Sequence, residues 1–344
     1  MKGFVTLLLC LCIMSCGTAL AGKTLQRYEL GFADYIDTEM YSDTVSMCRY
    51  EANYLSLDTE IIKSVFLDGD AEIVEQNDIG ELYSSKDGER VLRFYDVYIC
   101  NQDNIAMTYL KDSRIANLDV GYLTNWGSLG SDEIISRCME NELDFMSRDE
   151  AIQLVKDTVN AMGIYNVEVM NLFGVNADDM NGQHIEDTQI AVDHYEVYLR
   201  QTVDNIPINY TTYANRTENI YELSGPQIEA NITKDGLNSI SCFNILVPYP
   251  VSESERIISC KQACDMLKEY YAHKFLTYPN KVVKVELLYY QIKTDDDLHV
   301  RLDPVWAFTI NAFDMLANGD GSFSKYYKDF CLIDAISGEM YVAP

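Results

Sequence analysis

Four histidines, ten cysteines and a large excess of carboxylates are the groups with which this 344-residue chain could do chemistry. His184, His194, His273 and His299 are scattered, and none sits in the His-Glu-x-x-His spacing that presents two imidazoles and a base to zinc. There is no Gly-x-Ser-x-Gly elbow to raise a serine nucleophile and no Gly-x-x-x-x-Gly-Lys loop to cradle a phosphate, so neither chemistry has a starting residue. Two acidic loops invite a calcium test. In Asp178-Asp-Met-Asn181-Gly182 the glycine can take the sixth loop position, but Ala177 then stands first and Thr188 twelfth, and the ligand set fails. Asn318-Gly-Asp320-Gly-Ser322 is short and lacks a closing glutamate. Cys260 and Cys264 share one helix face a turn apart, a geometry that disfavours bridging, so core packing is preferred over a redox or metal role. Trp306, Tyr289 and Tyr290 are the candidate binding residues, strand aromatics that could line a sugar or peptide groove; cross-strand core pairs are the commoner fate of such residues. The reading that results is non-enzymatic, with no metal and no cofactor.

Composition narrows the partners and the compartment. With 54 acidic against 26 basic residues the net charge is −28, which repels phosphate backbones and anionic lipid; nucleic acid is excluded as a partner. After Met1-Lys2 an apolar run from Phe4 to Met14 has the length of a signal-peptide core, and residues 1–21 are read as a signal for export. Two cleavage sites compete: Ala19-Leu20-Ala21, or Ile13-Met14-Ser15-Cys16-Gly17, which has the form of a bacterial lipobox. The second is favoured, and it makes Cys16 a lipidated N-terminus that anchors the protein to the outer leaflet of the membrane. Seven cysteines then remain, Cys48, Cys100, Cys138, Cys242, Cys260, Cys264 and Cys331, an odd number with wide spacing that suits buried free thiols.

The elements that must carry these residues follow from periodicity. Residues 22–57 read as a tether running into early strands. Residues 58–146 read as an N-terminal α+β region, with a helix over Asp58–Phe66 capped by Asp58 and strands at Arg90–Cys100, Asn104–Tyr109 and Ile115–Tyr122. Ser147-Arg-Asp-Glu150 is a capping box, followed by Ala151, Val155, Val159 and Met162 at helical spacing and a stop at Gly163. Ser259-Cys-Lys-Gln262 is a second one, with Ala263, Leu267 and Tyr271 in the same phase. Between them, Tyr195, Val197, Leu199 and Val203 alternate with Glu196, Tyr198 and Arg200 as in a strand buried on one face. That strand turns a corner at Asp204-Asn-Ile-Pro207, and Thr233-Lys-Asp-Gly236 makes a hairpin. A duplication of one helix-plus-antiparallel-sheet unit, spanning residues 147–250 and 251–344, accounts for this recurrence.

Tyr198-Leu-Arg-Gln-Thr-Val-Asp-Asn-Ile-Pro207 followed by Ile232-Thr-Lys-Asp-Gly-Leu-Asn-Ser-Ile240 resembles the PepSY and thermolysin-propeptide pattern, with Asn205 where that pattern carries glycine. Pro304-Val-Trp306 and Leu332-Ile-Asp334-Ala-Ile-Ser-Gly338-Glu resemble the same superfamily, and the tandem layout is similar to the YycH/YycI-type regulatory proteins and to clostridial-type lipoproteins. The resemblance implies an α+β fold, tandem units of one helix on a curved antiparallel sheet, used outside the cytoplasm to contact a protein. That partner would be an envelope or secreted protein such as a sensor kinase or a peptidase. Inhibition of a secreted metallopeptidase, or carbohydrate or peptide binding, are the alternatives.

Overall fold

The computed structural model describes residues 29–342 apart from 41–44, 70, 78–79, 98–101, 112–130, 179–191, 211–224, 275, 277–278, 295–298 and 315–324. Cys16 with its signal, Cys100, His184, the Ile115–Tyr122 segment and the Asn318–Ser322 loop fall outside the described residues. Strands β1 (Leu30–Phe32), β2 (Ser46–Met47) and β3 (Tyr50–Tyr54) precede helix α1 (Thr59–Leu67), which leads into β4 (Ala71–Asn77), β5 (Gly80–Ser85), β6 (Val91–Val97) and β7 (Gln102–Leu110). Helices α2 (Ser131–Glu140) and α3 (Arg148–Ala161) come next. They are followed by β8 (Val167–Val175), β9 (His194–Val203), β10 (Ile206–Pro207), β11 (Gln227–Thr233), β12 (Gly236–Phe243) and β13 (Leu246–Pro250). After β14 (Glu255–Arg256) and α4 (Cys260–Ala272), the long strands β15 (Asn280–Lys293), β16 (His299–Asp314) and β17 (Lys325–Asp334) and the short β18 (Met340–Val342) end the chain.

Three of the helices start with a side chain satisfying amides that the first turn leaves free. The Asp58 carboxylate accepts from the Glu60 and Ile61 amides, and Ser147 with Glu150 and Ser259 with Gln262 form the two reciprocal capping boxes. Counting from each cap, positions four and eight are buried in all three: Ile62 and Phe66, Ala151 and Val155, Ala263 and Leu267. The helix period and the cap together therefore fix which stripe meets the sheet. Helix α2 was not marked by any cap in the sequence, and its start adjoins residues outside the description.

Each capped helix leads into four antiparallel strands taken in order: β4-β5-β6-β7, β8-β9-β11-β12 and β15-β16-β17-β18. The first two sets are one sheet, because β12 pairs with β7 (Cys242 opposite Met107, Ile240 opposite Tyr109). A nine-stranded sheet thus crosses the boundary drawn at residue 147, and α1 and α3 pack on one shared core in which Ile62, Phe66, Val155, Val159, Tyr195, Val197 and Leu199 meet. The stretch read as a tether running into early strands is built into the sheets. Strand β1 lies parallel to β15, and β3 lies between β13 and β16, so these two complete the smaller, seven-stranded sheet over which α4 packs, while β2 pairs with β14 apart from it. Periodicity sees only neighbours in sequence, which is why neither long-range pairing was visible in it.

The two sheets are joined at the corner that the proline marked. Asp204 and Asn205 both take positive φ, 51° and 64°, the backbone that a two-residue hairpin of this hand requires and that Asp and Asn tolerate better than other side chains. The turn sends Ile206 and Ile208 into the core of the smaller sheet. There Ile208 bridges Tyr289, the Asn209 amide donates to the Tyr289 carbonyl at 2.9 Å, and the Gln291 amide donates to Asn209 Oδ1 at 3.0 Å. Gln201 adds a two-point clasp on Leu246: its Nε2 donates to the carbonyl at 2.9 Å, and its Oε1 accepts from the amide at 2.8 Å.

Candidate functional site

The three aromatics singled out as a binding groove do not form one. Trp306 lies mid-strand on β16 facing α4, fully buried, with its indole N–H donating to the Ile258 carbonyl at 3.0 Å. Tyr289 is buried on the same face, its ring 5.4 Å from Tyr50 in an edge-on contact and its hydroxyl donating to the Cys48 carbonyl. Tyr290, one residue on, points to the opposite face beside Leu288, Val305 and Leu332. Strand alternation separates neighbours in this way, so the groove expectation is corrected: two of the three are core. Cys260 and Cys264 are core as well. The Cys260 thiol is pushed up, first by its hydrogen bond with Cys264 and then by burial, while Cys264 is lowered by the same contact. Burial also pushes Cys331 up to about 12, and every described cysteine is a free thiol. His273 caps the end of α4, His299 opens β16 and His194 opens β9, three different elements. Among the described residues no group of three or more His, Cys, Asp and Glu side chains is placed to hold a metal ion.

Two polar clusters that single-sequence reasoning missed lie on the sheet faces opposite the capped helices. On the smaller sheet Asp303 (β16) and Asp334 (β17) are both fully buried. Arg49, just before β3, reaches them with Nη1 at 3.0 Å from Asp303 Oδ1 and 2.8 Å from Asp334 Oδ2, and its Nη2 donates to Asp334 Oδ1 at 3.1 Å. Arg301 adds a second guanidinium on Asp303, at 2.9 Å. The Tyr341 hydroxyl stands 2.7 Å from Asp303 Oδ2 and 2.5 Å from Asp334 Oδ2; with one hydrogen it donates to one of them at a time. Asp334 Oδ1 also accepts from the Ile336 and Ser337 amides, which builds the turn read from Asp334 to Gly338, where Gly338 has φ 76°. Burial works against the charge of Asp334, but Arg49, Tyr341 and the Ser337 amide more than offset it and hold the carboxyl below the ordinary aspartate range. Burial likewise opposes the Arg49 charge, and the two carboxylates keep it raised. Asp334 thus works as a latch that holds Arg49, and with it the start of β3, against β16 and β17.

On the larger sheet His194, Glu196 and Tyr198 project from the same face of β9. His194 Nδ1 lies 3.0 Å from the Val192 carbonyl oxygen, and Nε2 faces Glu196 Oε1 at 3.4 Å. The Tyr198 hydroxyl donates to Glu196 Oε2 at 3.1 Å, and nearby the Tyr210 hydroxyl donates to Glu229 Oε1. Alternation had assigned Glu196 and Tyr198 to solvent. Both are buried, because Cys138 of α2 packs with Phe173, Val175, Tyr198 and Tyr210 over this face. Gly174 lets that cover approach, since a Cβ there would stand 2.5 Å from the Asn141 carbonyl oxygen. Under that cover His194, Glu196 and Tyr198 are buried together.

The third feature is open. Strand β4 pairs with β5 and with no other strand among the described residues, so one row of its backbone donors and acceptors faces outward. Its side chains from Glu72 to Gln76 are exposed on both faces, with Ile73 at 55% and Val74 at 60% exposure. A bulge leaves Val74 as the extra residue, Ile73 opposing Tyr83 and Glu75 opposing Leu82. The other free edges differ: β1 and β18 are three residues each, the second half of β8 is buried, and β13, which pairs with β3, exposes Val247 and Tyr249 but carries Pro248 and Pro250, which have no amide to donate to an added strand.

No protein-family model matches the sequence, and no curated protein matches it. A solved structure does: an uncharacterized protein from Eubacterium rectale shares the fold at a TM-score of 0.62, with 14% sequence identity, over 92% of this chain and 90% of that one. The likeness extends to the fold alone and spans both sheets.

Proposed function

We propose that this chain is a non-enzymatic, extracytoplasmic protein, anchored to the bacterial membrane through lipidated Cys16, that binds or regulates another envelope protein through a free sheet edge. The observation that carries the reading is β4: a seven-residue edge strand exposed on both faces, with two large apolar side chains in solvent. An extended segment can add to such an edge by main-chain hydrogen bonds while alternate side chains select the sequence. Strand addition needs no reactive groups. The two buried polar clusters serve the sheets they sit on.

The architecture behind this edge is a set of repeated units of one helix on a curved antiparallel sheet, in the PepSY/cystatin-like manner. Supporting it, the caps at Asp58, Ser147 and Ser259 stand in the same phase to their buried stripes, and each is followed by a four-strand meander. The unit at residues 58–110 extends the expected pair to three.

Site-specific photo-crosslinking in intact cells tests the reading. A photoreactive residue at position 74 should form an adduct with an exported protein, and one at Tyr165, exposed elsewhere, should not. Equal or absent adducts at the two positions remove the claim. An adduct with a secreted metallopeptidase whose activity falls on binding would make the protein an inhibitor.

A further inference from the structure

We infer that the segment received by β4 is an extended, lysine- or arginine-bearing strand of the partner, added as a tenth strand to the larger sheet. The inference rests on the protein-binding reading above and names the chemistry of the partner. A backbone edge accepts any sequence without proline, so the side chains beside it must do the choosing. Between Ala71 and Ser85 the β4–β5 hairpin carries Glu72, Glu75, Asp78 and Glu81 and no lysine or arginine, within a chain of net charge −28. The cation on the next strand, Arg93, is already 3.1 Å from Glu75 and leaves Glu72 exposed.

Three occupants compete for this edge. A second copy of the chain, antiparallel and centred between Ile73 and Val74, would set Glu72 opposite Glu75 twice, and directly opposed like charges destabilise a strand pair. An acidic strand meets the same repulsion. A basic strand sets a cation across from each glutamate while its apolar residues cover Ile73 and Val74. The glutamates and the bulge thus act as a filter: they are devices that keep bare edges from sticking to one another, and they discriminate by repelling the wrong partner.

The test uses the purified mature protein and three synthetic ten-residue peptides. One alternates lysine or arginine with valine or threonine, one replaces each cation by glutamate, and one is the basic peptide with two interior prolines. Anisotropy should show the basic peptide binding about tenfold more tightly than the acidic one, the size expected of two cross-strand charge pairs. Amide hydrogen exchange should slow in residues 71–77, and the proline peptide should lose both effects. Glu72→Lys combined with Glu75→Lys should reverse the preference. Equal protection of β4 by acidic and basic peptides overturns the basic partner and leaves edge pairing standing. Binding of the proline peptide as tight as that of the basic one, or no protection of β4 by any peptide, overturns strand addition itself; it would mean adhesion to the acidic surface at large.

Discussion

The larger sheet is finished differently at the β9–β10 corner and at β4. At the corner, β9 turns through Asp204 and Asn205, packs Ile206 against the neighbouring core and buries Ile208 in it, where Tyr289, Gln291 and Leu246 take up its backbone and side-chain polar groups. At the other, β4 leaves Ile73 and Val74 in water and its outer backbone row without a strand partner among the described residues. The same chain that closes one edge with an internal partner leaves the other to glutamates and a bulge. A sheet end can thus be completed by the protein's own residues, and the bare end is where a residue from outside can do the same work.

Substitutions at the two ends should separate them. Ile208→Asp puts an unpaired charge into the core at the closed end and should lower stability by about 4 kcal/mol in urea unfolding. Asp334→Asn, which releases the Arg49 latch holding β3 in the smaller sheet, should cost about 3 kcal/mol at pH 7. The sign of its pH dependence follows from the lowered Asp334 carboxyl: its contribution is full above the ordinary aspartate range and is lost as pH falls through the folded value. The gap between the wild-type and Asp334→Asn unfolding curves should therefore close in acid. A gap that widens below pH 4 would contradict a charged Asp334. Gln201→Leu orphans the Leu246 amide and carbonyl and should cost about 2 kcal/mol. Val74→Asp at the open end should shift the urea midpoint by less than about 0.5 kcal/mol in equivalent stability. A cost at Val74 comparable to that at Ile208 would show that β4 is already covered.

What the sequence disclosed, and what it hid, divide by range. Ser147 with Glu150, Ser259 with Gln262 and the Asp58 cap announced their helices because a cap and its amides lie within four residues. The turns at Asp235-Gly236 and Asp334–Gly338 were legible for the same reason, and Gly236 indeed has φ 90°. Arg49 and Asp334 are 285 residues apart, and nothing in either neighbourhood marks them as partners. Glu196 and Tyr198 misled in another way. Their alternation with Tyr195 and Val197 is real, but alternation reports one covered face and is silent about a second cover such as α2. The aromatic candidates failed because Trp306 and Tyr289 are the large residues that fill the space under α4.

The early strand β1 finds its partner in β15, and β3 lies between β13 and β16, all far along the chain. During synthesis, residues 30–54 emerge early and must wait until nearly the whole polypeptide has followed before the smaller sheet can assemble. A high separation of contacting segments slows folding and prolongs the exposure of strand-forming residues such as Tyr50, Ala52 and Tyr54. Nascent chains of this protein should accordingly lean on folding helpers more heavily than a protein whose sheets close in sequence order.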